Sequence, residues 1–360
     1  MLLVFPSHWS NPQKAMQINL TPILTDKEIF QLMALLRAAK RVVVCGHHGP
    51  DGDAVGAALG WAEYLKHLGK YVNIVMPNPF PDFLTWLPGS RQILFNTFHH
   101  ERVAKLLADA DLICCLDFRE LSRIKEMGEM VARAKAKVLV IDHHLGTEPM
   151  GEMMISRPEM SSTSEMVLRL IDTLGGFDEM TTAAASAIYT GMMTDTGGFT
   201  YNSNNPEIYL LISMLLTKGI DKDKIYRNVY WSSKESRLRI IGYVLHEKLK
   251  FYEDHRASIF TLSRQELKDL QYVRGDSEGL VNMPLEVKGM RLSISLREDT
   301  EKDIIRVSLR SVDDFPCNKM ASEFFNGGGH LNASGGELPF PMEEAIRIAE
   351  RAIEAYRDLL

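Results

Sequence analysis

The sequence predicts an α/β protein, with a doubly wound, mainly parallel sheet followed by a smaller α/β unit built on a mixed sheet. Three observations carry this expectation. Four short apolar runs, Val42 to Cys45, Val72 to Met76, Leu112 to Leu116 and Val138 to Ile141, are separated mostly by helical patterns. That order suits a parallel sheet covered on both faces. Beyond about residue 220 the pattern turns to alternation, with Leu292, Ile294 and Leu296 interleaved with Arg291, Ser293 and Ser295. Finally, 360 residues at 45% hydrophobic and 24% charged composition suffice for two separate cores.

The elements follow in order. Residues 1–24 read as an N-terminal arm, the first 20 without a clear period. Thr25-Asp26-Lys27-Glu28 is a capping box, and Ile29, Leu32, Met33 and Leu36 repeat at helical spacing behind it. Arg41 leads into the first strand, which ends at Gly46. Asp53 can cap the next helix, whose apolar face is Val55, Leu59, Ala62 and Leu65 and whose stop is Gly69. Residues 25–220 thus form a first domain, 221–244 a polar helical connector, and 245–360 a second domain. In the latter, Ala257 to Leu262 resembles a strand, and Ile305, Val307 and Leu309 alternate with Arg306, Ser308 and Arg310. A closing helix repeats Ile346, Ala349, Ile353 and Tyr356.

The net charge of −6 argues against a surface for long duplex nucleic acid, which normally shows as a basic domain. A nucleic-acid substrate should be short, or its charge met by divalent metal. Four cysteines without repeated spacing read as buried thiols of a reducing, cytoplasmic compartment. No apolar stretch approaches the roughly 18 residues of a membrane span, and Met1 to Phe5, broken at Pro6, lacks the form of a secretory leader. A homodimer stays open.

Four clusters could carry chemistry. Gly46-His47-His48-Gly49-Pro50-Asp51-Gly52-Asp53 follows the first strand, Asp117 the third, and Asp142-His143-His144 the fourth. Thr194-Asp195-Thr196-Gly197-Gly198 follows a small-residue helix that starts at Thr181. A single Asp after a strand is ordinarily a turn or cap residue. Four clusters at element ends in one domain fall instead on one rim of a parallel sheet. Carboxylates so gathered raise one another's pKa unless a cation neutralises them. Asp and His without Cys suit Mn²⁺ or Mg²⁺. With Asp117 as a bridge, the set suffices for two ions about 3.5–4 Å apart, a pair that supports in-line displacement at phosphorus by a metal-bound hydroxide.

In set and order, His47-x-x-x-Asp51-x-Asp53, Asp117, Asp142-His143-His144 and Asp195 resemble the four motifs of the DHH phosphoesterase superfamily. Gly327-Gly328-Gly329-His330 with Ala333-Ser334-Gly335-Gly336 resembles the DHHA1 signature. The likeness covers roughly residues 30–345, and its nearest architecture is the stand-alone group of oligoribonucleases that also dephosphorylate 3′-phosphoadenosine 5′-phosphate (pAp). The resemblance implies that His47, Asp51 and Asp117 bind one ion, and Asp53, Asp117, His143 and Asp195 the other. It implies that His144 faces the scissile phosphate and that Asp142 orients its neighbours.

A glycine run lets backbone N–H groups approach a phosphate closely. Gly328, Gly329 and His330, with Arg310 on a nearby strand, are therefore the candidate grip on a phosphate or terminal nucleotide. The expected function is a metal-dependent phosphoesterase, Mn²⁺ first and Mg²⁺ second. It would act on short oligoribonucleotides or pAp, in a cleft between the two domains. Linear or cyclic dinucleotides and pyrophosphate or polyphosphate are alternative substrates, and a non-catalytic nucleotide-sensing module is the alternative of another class.

Overall fold

The computed structural model describes residues 20–146, 149–231, 234–273, 275–277 and 279–360. The expected N-terminal arm lies outside the described residues as far as 19. The chain divides into two compact units, Met1–Ser232 and Ser233–Leu360. The polar stretch 221–244 is shared between them, one helix to each.

The first unit runs α1 (Asp26–Ala38), β1 (Arg41–Cys45), α2 (Gly52–His67), β2 (Tyr71–Met76), β3 (Leu94–Phe95), α3 (Asn96–Ala108), β4 (Leu112–Leu116), α4 (Glu126–Arg133), β5 (Lys137–Asp142) and β6 (Met153–Ser156). Then come α5 (Thr163–Thr173), α6 (Thr182–Asp195), α7 (Pro206–Thr217) and α8 (Lys222–Tyr230). Its six described strands are all parallel, in the order β3-β2-β1-β4-β5-β6. The four apolar runs are its central strands. The edge strands β3 and β6 are too short to show as runs in the sequence.

Strand order reverses between β1 and β4, where parallel sheets open a crevice beyond their C-terminal ends. The register aligns those ends, pairing Cys45 with Cys115 and Leu116 with Ile141. Residues 47, 117 and 142 therefore leave the sheet along one rim. Alternate strand residues feed two cores, Val42, Val44, Cys114 and Leu116 on one face and Val43, Cys45, Ile113 and Cys115 on the other. All four cysteines are free and buried.

One cap differs from expectation. The N-cap of α2 is Asp51, whose carboxylate accepts from the Asp53 and Ala54 N–H groups at 3.0 Å each. Gly49, at φ 70°, turns the loop early enough for the helix to begin at Gly52. Asp53 is thereby released from capping and lies buried inside the first turn. The expected capping box of α1, between Thr25 and Glu28, is present.

Helix α2 also carries glycines at 52, 56 and 60, one per turn on a single face. A Cβ there would fall 2.2 Å from Thr194 Oγ1, 2.4 Å from the Ala187 carbonyl and 2.4 Å from Ile188, respectively. The stripe admits α6 antiparallel and at close range, which sets the C-terminal end of α6, with Asp195, beside Asp53.

The second unit contains α9 (Glu235–Tyr243), β7 (Lys250–Tyr252), β8 (Ala257–Leu262), α10 (Arg264–Asp269), β9 (Leu292–Glu298), β10 (Ile304–Ser311), α11 (Cys317–Phe324), β11 (Gly328–Gly329), β12 (Ala333–Pro339) and α12 (Met342–Ala355). Its sheet, β11-β12-β10-β9-β8-β7, is mixed: β8 and β9 are parallel and the other described pairs antiparallel. Ile305, Val307 and Leu309 point into a core completed by α11 and α12. Among the described residues no helix is long and apolar enough to cross a membrane.

Candidate metal centre

The four motifs meet at the rim of the parallel sheet. Three groups of side chains each bring their ligand atoms within 4.8 Å of one another: His47, Asp51 and Asp117; Asp53, His143 and Asp195; and Asp117, His143 and His144. Asp117 belongs to two of them. It follows β4 at φ 65°, a left-handed conformation that Asp tolerates better than most residues, with its N–H bonded to the Ile141 carbonyl at 3.0 Å. His47, Asp53, Asp117 and Asp142 are buried.

The histidines are oriented as ligands require. His47 Nδ1 lies 3.1 Å from the His48 carbonyl, and His143 Nδ1 lies 3.3 Å from that of Met160. A carbonyl only accepts, so Nδ1 carries the proton and Nε2 is turned to the carboxylates. His47 Nε2 stands 3.4 Å from Asp117 and 3.8 Å from Asp51. His143 Nε2 stands 3.4 Å from Asp195, 3.6 Å from Asp117 and 3.9 Å from Asp53. Most of these separations exceed good hydrogen bonds but suit donors that converge on a shared cation. The set is oxygen and imidazole nitrogen without sulfur, which fits a divalent ion such as Mn²⁺ or Mg²⁺. His144 differs: Asp142 accepts from its backbone N–H at 3.1 Å and lies 2.8 Å from its Nδ1.

The electrostatics are those of a crowded anion cluster. Burial raises the Asp53 carboxyl well above the ordinary range, and Asp117, Asp195 and Asp51 push it further. Burial, then Asp117 and Asp51, against the opposing His143, lift Asp195 to about 7. Burial alone would disfavour a His47 cation, but the Asp117 and Asp51 carboxylates outweigh it and hold the imidazole up to about 11. The Asp142 bond, offset by burial, raises His144. A divalent cation would replace this proton-based neutralisation.

Several contributors were hidden in the sequence. Ser162 caps α5 by accepting from the Glu165 N–H, but the next two residues serve the cluster. The Thr163 and Ser164 N–H groups donate to Asp53 at 2.7 and 2.8 Å, and the Thr163 hydroxyl donates to Asp117 at 2.9 Å. The N-terminus of α5 thus supports two of the acids. Asn78, beyond β2, accepts from the Gly49 N–H at 2.7 Å and steadies the first loop. Gly191 is required by proximity, since a Cβ there would lie 1.9 Å from Ser164 Oγ and 3.0 Å from Asp53 Oδ1. The buried Arg119 donates to Ser156 at 3.1 Å and packs on Gly146, the second residue after His144.

In the second unit the glycine run forms a hairpin with β12. Gly327 and Gly329 are dictated by their own chain: a Cβ would meet the Gly335 carbonyl at 1.9 Å or that of Ala333 at 2.6 Å. Gly328 faces open space. Arg310 pairs in register with Ala333, which exchanges backbone hydrogen bonds with His330. Arg310 and the His330 turn are thereby brought to one end of the sheet.

Comparison with known proteins gives this arrangement its class. Residues 41–192 match the DHH family, N-terminal domain, and residues 265–356 match the DHHA1 domain. The fold and its acid–histidine rim are those of a hydrolase acting on phosphate ester bonds. Over 321 residues the chain is 32% identical to the bifunctional oligoribonuclease and PAP phosphatase NrnA of Thermus thermophilus, covering 89% of this chain and 90% of that one. The protein of that name from Bacillus subtilis is 25% identical over 324 residues, covering 88% and 95%. A solved structure of an exopolyphosphatase-related protein from Bacteroides fragilis aligns at TM-score 0.92 and 51% identity, covering 94% of this chain and 99% of that one. The protein belongs to the DHH family and carries a DHHA1 domain in its second unit.

Proposed function

We propose that the protein hydrolyses short oligoribonucleotides and pAp with the help of two divalent ions, Mn²⁺ or alternatively Mg²⁺. The observation that carries this reading is the position of the buried Asp117 between two ligand groups, one carboxylate oxygen 3.4 Å from His47 Nε2 and the other 3.6 Å from His143 Nε2. The names of the two NrnA relatives support the substrates. His47, Asp51 and Asp117 would hold one ion, and Asp53, Asp117, His143 and Asp195 the other. When bound, such ions neutralise phosphoryl oxygens and make water a competent nucleophile near neutral pH.

The remaining roles fall to the chain itself. Asp142 fixes the proton of His144 on Nδ1 and favours the imidazolium, so that His144 presents positive charge or a proton to the scissile phosphate. Arg310, Gly328, Gly329 and His330 bind a second phosphate or the terminal nucleotide. The four buried thiols support a reducing, cytoplasmic setting.

A second reading, hydrolysis of pyrophosphate or polyphosphate, is favoured by the description of the Bacteroides fragilis relative. The test is turnover with Mn²⁺ or Mg²⁺ on pAp, two- to five-nucleotide RNA, linear and cyclic di-adenylate, pyrophosphate and polyphosphate. Best turnover on RNA or pAp supports the proposal, while best turnover on the inorganic substrates overturns it. No turnover on any substrate would leave a nucleotide-sensing module.

Length dependence is a further expectation. A chain of net charge −6 neutralises few phosphates, so RNA of two to five nucleotides should outrun long strands. The salt dependence should be shallow, because few counterions are released. A rate that climbs with strand length, with a steep salt slope, contradicts this.

The second unit is tested through Arg310→Ala and His330→Ala. A charge-assisted grip lost at Arg310 should lower kcat/KM on pAp by about ten- to a hundred-fold, mainly in KM if the grip acts before and during the reaction alike. Mn²⁺ affinity, titrated by calorimetry, should be unchanged in both variants. If both turn over pAp as the parent does, the glycine-rich hairpin is only structural.

A further inference from the structure

The fourth motif runs on from Asp195 into Thr196-Gly197-Gly198, and tyrosine rings lie against both glycines. A Cβ on Gly197 would fall 2.6 Å from the Tyr201 ring, and one on Gly198 would fall 3.7 Å from Tyr226 and 3.9 Å from Tyr230. The Tyr226 and Tyr230 rings are 4.7 Å apart between centroids, and Trp231 stands edge-on to Tyr226 at 6.4 Å. The Tyr230 hydroxyl donates to the Met193 carbonyl at 3.3 Å, which ties this aromatic group to the last turns of the helix that carries Asp195. Gly198 is three residues from Asp195, a span of at most about 11 Å.

These rings are not spent on packing. Tyr201 is 63% exposed, Tyr226 43% and Trp231 71%. Their setting is also charged. The helix Lys222–Tyr230, with its cap Asp221, carries Lys222, Lys224 and Arg227 against Asp221 and Asp223, a surplus of one positive charge in a chain of net charge −6. Aromatic faces interleaved with basic side chains are the combination that binds single-stranded nucleotides.

We propose that Tyr201, Tyr226 and Trp231 form a stacking platform for a nucleobase of the substrate, one that tolerates any base because every base has a π face. The platform rests on the nucleotide reading of the metal centre and extends it, since inorganic polyphosphate has nothing to stack.

The test crosses the protein's rings with the substrate's base. With Mn²⁺ present, kcat/KM is measured on pAp and on base-free ribose 3′,5′-bisphosphate, for the parent, Tyr226→Leu and Trp231→Leu. The parent should prefer pAp, and each variant should shrink that preference by about 5- to 150-fold, chiefly through the KM of pAp. In chelator, adenosine 5′-monophosphate should quench the parent's tryptophan fluorescence, ribose 5-phosphate should not, and Trp231→Leu should lose the quench.

A parent that turns over no nucleotide sinks the nucleotide reading itself. A parent that turns over pAp without preferring it to the base-free sugar leaves that reading standing and overturns the platform. So do variants that keep the preference, and so does the lack of any quench. Variants that lose both substrates equally, or that pass from dimer to monomer in sedimentation, would place the rings in a structural or subunit contact and also overturn it.

Discussion

Asp117→Ala is expected to lower kcat/KM on pAp by about a thousand-fold or more, because loss of a group near a metal ligand already costs about 10- to 100-fold and Asp117 stands in two ligand groups at once. Alanine, however, changes two things. It removes the carboxylate, and it places a residue poorly suited to φ 65° in a buried turn, at a cost of about 1–3 kcal/mol. Asp117→Asn separates them. Asparagine tolerates the left-handed conformation, and its carbonyl oxygen can still accept the Thr163 hydroxyl. Only the charge and one ligand oxygen are lost. Both variants should lose the activity and the Mn²⁺-induced rise in melting temperature, whereas only the alanine variant should melt well below the parent without metal. Near-parental turnover in Asp117→Asn, or in chelator-treated parent, would show that the cluster is not the metal centre.

What the sequence disclosed and what it hid follow from the same physics. Strands β1, β2, β4 and β5 were legible because a strand covered on both faces is apolar at every position, as Val42-Val43-Val44 and Ile113-Cys114-Cys115 are. The two-residue β3 has no run to read. β12 was hidden by Gly335 and Gly336, which weaken a strand signal, yet Gly336 is demanded by the Phe325 backbone, whose carbonyl a Cβ there would meet at 2.1 Å. The His and Asp residues of the rim stood out because their clusters fall at or beside the ends of elements. Their supports did not. Thr163 and Ser164 sit 110 and 111 residues from the carboxylate they hold, and a Ser-Thr-Ser stretch ahead of a helix reads first as a cap. Gly52, Gly56 and Gly60 were visible as glycines, but their purpose required knowing that α6 lies across them. Long-range contacts of this kind carry no local period, and only the packed chain reveals them.

Asp195→Asn should abolish most activity and, in metal-free protein, raise stability above pH 7. The sign comes from linkage. Burial and the Asp117 and Asp51 carboxylates hold Asp195 at about 7 in the folded chain, against an ordinary 3.8. The folded state therefore binds a proton that the unfolded state has released between these values, and stability falls as pH rises from about 4 to 7. Ionising such a group could cost up to about 4 kcal/mol. Partial exposure of the side chain and adjustment of its neighbours reduce this to about 1–2 kcal/mol, or about 2–8 °C for a unit of this size. Asparagine never ionises and escapes the penalty. The His47 proton acts in the same direction at higher pH, since an imidazole held up to about 11 contributes stability below its ordinary 6.5 that is lost as pH rises. Melting curves in chelator at pH 4.5 and pH 8 should show the two proteins alike at the acid value and the variant ahead at the alkaline one. With Mn²⁺ at pH 8 the order should reverse, because the cation removes the parent's repulsion and finds one ligand fewer in the variant. If the variant melts below the parent in chelator at pH 8, Asp195 does not stand under the repulsion that the rim's geometry assigns to it.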